Sequence, residues 1–385
     1  MLSVSKLLEE KPATERSRTN EARYQRAPIP VVVWNLTRSC TLSCVHCYNS
    51  SGAKSYPGEL STKEAFSVID SLSDFKVPAI IFSGGDPLTR PDIFSLIEYA
   101  RSKGIRAVLS TNGVAIDERT AMRIKDSGVS YVGISIDGSR KVNDTLRGMD
   151  GSFEKALTGL RHCVKLGLMT GLRFTMSKKN ISELPFIFDL IESEGVQRGY
   201  FAHLVYSGRG GRFSSEDLDL NQMRAAVDYI FEKAGEFIKR GLDKDIVTGS
   251  NDADGVYLYL KLREKDPVRA GRVRALLESR GGNSSGVSLA NIDNLGDVHP
   301  DQFWTTHSFG NVKERPFGQL WTDTSNPLMN ALRNRKGLVK GRCSKCSHFS
   351  MCSGSYRARA EFATNDPWAE DPACYLTEKE IIIDA

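Results

Sequence analysis

No apolar run in this chain approaches the roughly 20 residues needed to cross a bilayer, which excludes a helical membrane protein. The polar, charged segment 1–30 lacks an apolar stretch ahead of a small-residue cleavage site, so no export signal is expected and the cytoplasm is the expected location. No run of five or more Lys and Arg occurs, and the net charge is only +5, from 52 Lys plus Arg against 47 Asp plus Glu. So mild and dispersed a bias argues against nucleic acid as a partner and suits an anionic small molecule. Internal repeats and low-complexity tracts are also missing, which excludes a solenoid. Cysteine is scarce, eight in 385 residues, but its placement is not random.

Seven of the eight cysteines fall into two clusters, Cys40/Cys44/Cys47 and Cys343/Cys346/Cys352/Cys374. In a cytosolic chain such spacing favours metal over disulfides. The eighth, Cys163, lies alone in a helical stretch and is expected to be a buried thiol. The first cluster reads C-x3-C-x2-C. Three thiolates on one short loop can hold three irons of a 4Fe–4S cube and leave the fourth iron open. A zinc site would need a fourth ligand, with His46 nearest, and the spacing is unlike a zinc knuckle. The second cluster, C-x2-C-x5-C-x21-C, supplies four thiolates, enough for zinc or for a fully ligated cube.

Between the clusters, short apolar runs alternate with amphipathic stretches. Strands are expected at 31–36, 79–83, 107–110, 131–136, 172–176 and 200–206, with helices at 62–72, 92–103 and 184–194. Ser61 and Glu64 suit a capping box on the first of these helices. Six β/α units imply parallel strands with right-handed crossovers, an α/β partial (β/α)6 TIM-like barrel. Chemistry in such sheets sits past the carboxyl ends of the strands, where Cys40, Gly84, Asn112, Asp137, Ser177 and Gly208 all fall. The expected division is 1–28 as N-terminal helix and linker, 29–213 as barrel, 214–280 as helical connection and 281–385 as a C-terminal module.

The triplet after the first strand, followed one strand later by Ser83-Gly84-Gly85-Asp86-Pro87, resembles the radical S-adenosylmethionine (SAM) superfamily. The resemblance implies a SAM molecule chelated by the open iron and cleaved to a 5′-deoxyadenosyl radical. Gly84, Gly85 and Asp86 match the superfamily's Gly-Gly-Glu-Pro motif at the SAM amino group, with Asp in place of Glu. Asn112, Ser135 and Asp137 match positions that contact the ribose and methionine carboxylate, although Asn-Gly and Asp-Gly are also turn formers. Arg173 suits the SAM carboxylate or a structural ion pair. Tyr48 or His46 is the aromatic beside the last cysteine, and Leu204, Val205 and Tyr206 fall on the adenine side. The C-terminal cysteines resemble SPASM/twitch-type modules, which implies one auxiliary 4Fe–4S cluster at Cys343, Cys346, Cys352 and Cys374.

Strings along the whole chain, among them His203-Leu204-Val205-Tyr206-Ser207-Gly208, Gly282-Asn283-Ser284-Ser285-Gly286 and Val298-His299-Pro300-Asp301-Gln302-Phe303-Trp304, resemble the heme-biosynthesis branch that acts on didecarboxysiroheme. The resemblance implies an iron-tetrapyrrole substrate and a reducing donor such as ferredoxin or flavodoxin. One member of the branch removes two acetates, the other two propionates; acetate removal is the expectation. Arg147, Lys178, Arg209 and Arg212 are candidates for the substrate carboxylates. His299 and His307 are candidates for its iron, against a turn at His299-Pro300 and a core Trp304. The rival readings are a peptide-modifying radical SAM enzyme and a zinc-ribbon RNA-binding protein. The short segment before the core disfavours the first, and the intact triplet with Gly84-Gly85 the second.

Overall fold

The structure, a computed structural model, describes residues 1–9 and 29–382. All six expected strands form: β2 (Val31–Asn35), β3 (Ala79–Ser83), β4 (Arg106–Thr111), β5 (Tyr131–Ser135), β6 (Thr170–Thr175) and β7 (Arg198–Ala202). They pair in sequence order and in parallel. The sheet does not stop there. β8 (Asp245–Gly249) adds in parallel beside β7, and β9 (Leu289–Ile292) adds in parallel on the far side of β2. Short antiparallel strands finish both edges, β1 (Leu2–Ser3) on β8 and β10 (Val298–His299) on β9. The order across the ten strands is β1-β8-β7-β6-β5-β4-β3-β2-β9-β10. Segment 214–280 thus contributes a strand as well as helices, and the C-terminal part shares the barrel's sheet. The last expected strand ends early: the chain leaves the ladder at His203, and apolar Leu204 and Val205 are buried in a loop instead.

The parallel strands are buried on both faces, as continuous apolar runs require. Trp34 and Phe82, cross-strand partners on β2 and β3, stack with ring centroids 6.3 Å apart and are fully buried. Helix Thr62–Asp74 buries Ala65, Val68, Ile69 and Leu72, an i, i+3, i+4, i+7 stripe, and starts with the expected capping box: Glu64 accepts from Ser61 N at 2.7 Å. Each such apolar side chain contributes about 1.5–3 kcal/mol on burial. The N-terminal helix runs Val4–Leu8; Glu10 and the expected linker to residue 28 lie outside the described residues. Cys163 is buried inside helix Ser152–Lys165, as expected of a lone thiol. No helix among the described residues is long and apolar enough to cross a membrane.

The C-terminal part is locked onto the strand ends by one fully buried side chain. Arg359 places a two-pronged fork on Asp371 (2.8 and 2.9 Å) and donates to the carbonyls of Leu204 and Ser250, just past β7 and β8. Asp371 also accepts from the backbone N–H of Tyr356 and Ala373, which fixes the chain next to Cys374.

Candidate active site

The loop after β2 carries the cysteine triplet and is clamped from three sides. From below, Gly85 N donates to Thr37 O (2.6 Å) and Asp86 N to Ser39 O (2.9 Å). No side chain fits in this approach: a Cβ on Gly84 (φ +132°) would stand 2.3 Å from Thr37 O, and one on Gly85 2.1 Å from Ser39 O. From one flank, the unsatisfied carbonyls ending helix Arg140–Arg147 accept Ser43 N (3.2 Å) and Val45 N (3.0 Å). From the other, Arg209 binds the carbonyls of Cys44 (2.8 Å) and Ser51 (2.7 Å), and its backbone N–H binds that of Cys47.

The clamped loop turns Cys40, Cys44 and Cys47 into one wall of a cavity of about 430 Å³ at the strand ends. All eight cysteines of the chain are free thiols. Cys40 and Cys44 are buried and Cys47 half-buried. Burial pushes the Cys40 thiol up to about 12; donors from Leu42 N (3.4 Å) and the Asn112 amide (3.5 Å) oppose it. Burial also raises Cys44, opposed by the Arg147 guanidinium 3.8 Å from its sulfur. Cys47 accepts from Ser51 N at 3.4 Å. Among the described residues no three His, Cys, Asp or Glu side chains stand ready to share a single metal ion. The donor set itself, three free thiols on one loop with N–H groups aimed at the sulfurs, fits an iron–sulfur cluster.

Of the residues expected to hold SAM, Tyr48, Gly84, Gly85, Asn112, Ser135 and Arg173 line this cavity, as do Leu204 and Val205. Tyr48 donates to Asn35 (3.0 Å) and sets its ring edge-on to Phe303, 4.9 Å away. Arg173 bonds Ser110 and, among the described residues, forms no ion pair with a carboxylate; Gly133 leaves it room. Asp86 and Asp137 lie behind the wall. Asp86 is spent on Thr111 Oγ1 (2.7 Å) and the N–H groups of Asn112 (2.8 Å) and Leu88 (3.0 Å), so it positions Asn112. Asp137, fully buried, meets Arg147 at 2.5 Å and His46 at 3.1 Å. Burial alone would raise its carboxyl, but Arg147 and His46 outweigh this and hold it down at about 2. Asp137 thereby fixes two cavity residues without facing the cavity.

Several residues expected at the substrate do not reach it. Among the four proposed cations only Arg147 lines the cavity; Arg209 is consumed by the loop carbonyls, Lys178 binds Ser215 O, and Arg212 is exposed. Tyr206 turns to Asp217 (2.7 Å). His299 is on β10 with Nδ1 on His307 O (2.7 Å), His307 pairs with Glu361 (2.7 Å), and Trp304 is core, so neither histidine borders the cavity. Conversely, the cavity has walls to which the sequence assigned no role: Tyr200 and His203 around the end of β7, Ser250 to Asp252 after β8, and Tyr356. The missing signal was β8 itself.

The four C-terminal thiols gather behind the opposite wall. Burial raises the Cys352 thiol well above its ordinary value, and Cys374, Cys346 and Cys343 add to the shift by like-charge repulsion of its thiolate. Burial likewise pushes Cys374 up to about 12, while Arg342 pulls it and Cys346 down and Arg357 pulls Cys343 down. Gly282 backs onto Cys352, where a Cβ would stand 2.2 Å from its carbonyl carbon, and the next three residues, Asn283 to Ser285, line the cavity. The cavity therefore runs from one thiol set to within a residue of the other.

The pattern that defines the radical SAM superfamily matches residues 34–191, the span holding the triplet and Gly84-Gly85. The chain belongs to the radical SAM superfamily. It is 48% identical over 362 residues to the Fe-coproporphyrin III synthase of Methanosarcina barkeri, covering 93% of this chain and 91% of that one. It is 46% identical over 355 residues to the pre-heme d1 synthase of Dinoroseobacter shibae, covering 92% and 88%. Among solved structures, Streptococcus suis SuiB bound to its precursor peptide SuiA superposes with a TM-score of 0.72 at 17% identity, covering 94% of this chain and 79% of SuiB, which speaks for the fold alone. As a radical SAM enzyme the chain uses a 4Fe–4S cluster and SAM, and Cys40, Cys44 and Cys47 lie together on one wall of the cavity.

Proposed function

We propose that this radical SAM enzyme removes the two acetate side chains of 12,18-didecarboxysiroheme to give Fe-coproporphyrin III. The observation that carries the reading is the extent of its likeness to the Methanosarcina enzyme, which spans both walls of the cavity and not only the SAM-binding half. The lining agrees with a flat tetrapyrrole: Tyr48, Tyr200, Phe303 and Tyr356 offer ring surfaces.

When bound, the reduced cluster and SAM supply a 5′-deoxyadenosyl radical that abstracts hydrogen from the substrate. The chain's own residues prepare for this. Asn112 and the backbone N–H groups of Leu42 and Ser51 donate to the ligand sulfurs. Gly84 and Gly85 with Asn112, Ser135 and Arg173 hold SAM, and Asp86 and Asp137 act through Asn112, Arg147 and His46. Cys343, Cys346, Cys352 and Cys374 would hold a second 4Fe–4S cluster, which would supply an electron acceptor beside the substrate. The free thiols suit a reducing cytoplasm, with a ferredoxin or flavodoxin as donor.

The near-equal likeness to the pre-heme d1 synthase favours one second reading, the removal of two propionates. Anaerobic incubation with didecarboxysiroheme, SAM and a reductant, followed by mass spectrometry, separates them. Loss of two acetates is the expected result; loss of two propionates selects the second reading, and an unchanged tetrapyrrole with SAM consumed refutes both.

A further inference from the structure

Two histidines line the cavity. His46 sits inside the cysteine triplet, on the SAM side, with Nε2 on Asp137. His203 stands on another wall, past β7, and nothing in the SAM-binding pattern uses it. Its backbone is pinned to β8 through His203 N to Gly249 O (3.0 Å). Its Nε2 lies 3.1 and 3.2 Å from the two oxygens of Asp254, which is fully buried. Tyr375 donates to the same carboxylate at 2.7 Å and stacks over the imidazole, with rings 17° from parallel. With Asp254 accepting, Nε2 carries the ring proton and Nδ1 carries the lone pair. No partner takes up Nδ1 among the described residues.

We propose that His203 is the protein ligand to the iron of the tetrapyrrole substrate, through Nδ1. The inference rests on the tetrapyrrole reading above and names the residue that anchors that substrate. A histidine that binds a metal nearly always gives its other N–H to a carboxylate or carbonyl, which fixes the ring and strengthens its lone pair. His203 has the carboxylate half of that arrangement, with Nε2 on Asp254, and it borders the cavity. An imidazole is also a chemically suitable axial ligand for a tetrapyrrole iron. His299 and His307, the candidates on sequence grounds, do not border the cavity: His299 sets Nδ1 on His307 O, and His307 sets Nε2 on Glu361. Tyr375 follows Cys374 directly, so Asp254 and Tyr375 tie the orientation of the ligand to the backbone of the second thiol set.

The test is equilibrium binding of Fe(III)-coproporphyrin III and of metal-free coproporphyrin III to the reconstituted full-length enzyme, read by absorption and electron paramagnetic resonance. Wild type is expected to shift the Soret band of the iron form and give a nitrogen-ligated signal. In His203→Ala and His203→Gln that signature should vanish and the iron form should bind at least about tenfold more weakly. Added imidazole should restore the signature in His203→Ala. The glutamine variant keeps an N–H donor for Asp254 and guards against a folding defect, as do unchanged SAM binding and unchanged affinity for the metal-free form. A wild-type signature in both variants overturns the ligand and leaves the tetrapyrrole reading standing. If wild type binds neither porphyrin, both fall.

Discussion

Replacing Gly85 by alanine should silence the triplet without touching a single ligand. The added Cβ would stand 2.1 Å from Ser39 O, about 1.3 Å short of an ordinary 3.4 Å contact. That oxygen is backbone, one residue before Cys40, and cannot rotate away. Relief comes only by lifting the loop, which breaks Gly85 N to Thr37 O and Asp86 N to Ser39 O. Two hydrogen bonds are worth about 2 kcal/mol together, and overpacking adds about 1–3 kcal/mol. The larger effect is positional: a displacement of about 1 Å in a reacting assembly costs about 100-fold in rate. Anaerobic reconstitution followed by iron analysis and 5′-deoxyadenosine measurement reads both. About four of eight irons should be lost, and SAM cleavage should fall about 100-fold or more. Gly271→Ala is the control. It lies within helix Pro267–Arg280 with nothing within 4 Å of its added Cβ, so it should be neutral or stabilise by up to about 1 kcal/mol. Full iron content and SAM cleavage within about threefold of wild type in Gly85→Ala would refute the claim that this glycine holds the loop.

Asp137→Asn should destabilise cluster-free protein by about 2 kcal/mol at pH 7, given a carboxyl held at about 2 against an ordinary 3.8. Because that folded value is lowered, the stabilisation is present above pH 4 and fades as pH falls toward 2; urea titrations of both proteins should converge over that window. Cys352→Ala should lower reconstituted iron from about eight to about four while SAM binding stays intact; unchanged iron would remove Cys352 from the ligand set. Arg359→Met leaves Asp371 buried without its partner and should cost about 3–5 kcal/mol in thermal or urea unfolding; a loss under 1 kcal/mol would show that the C-terminal part is held elsewhere.

β3, β4 and β5 were legible as apolar runs that end at Gly84, Asn112-Gly113 and Asp137-Gly138, and β2 as the run Val31-Val32-Val33-Trp34. β8 was not, since Ile246 and Val247 are its only large apolar residues and Lys244 and Asp245 precede them. Its place comes from pairing with β7, a tertiary fact. The triplet was legible because a C-x3-C-x2-C loop is contiguous. Asp86 and Asp137 lay in the right motifs, but spacing does not say which way a side chain turns: both face backwards, onto Asn112 and Arg147. His203, Asp254 and Tyr375 were illegible as a unit, separated by 51 and 121 residues. The sequence shows where metal ligands are concentrated, whereas the folded chain shows which neighbours orient them.

Arginines stand beside both thiol sets, but their partners differ. Beside the triplet, Arg147 at the Cys44 sulfur is paired with Asp137, Arg209 sits on the Cys44 and Ser51 carbonyls, and the other donors to sulfur are an amide and backbone N–H groups. Around the C-terminal set stand Arg335, Arg342 and Arg357. Arg335 and Arg357 are buried, and their guanidinium groups donate to backbone carbonyls, with Asn283 also on Arg335. Desolvation, with the positive charge of Arg357 nearby, lowers Arg335 to about 10. Positive charge that close favours added negative charge on whatever the thiolates hold, and a cluster's reduction potential follows its surrounding charge and hydrogen bonds. Under the proposed function, a cluster held by the C-terminal thiols would have its negative charge offset by these arginines, with Asp371 opposing them. The thiols of Cys343, Cys346, Cys352 and Cys374 would then place such a group beside the cavity wall at Asn283 to Ser285, where it could accept an electron from the substrate.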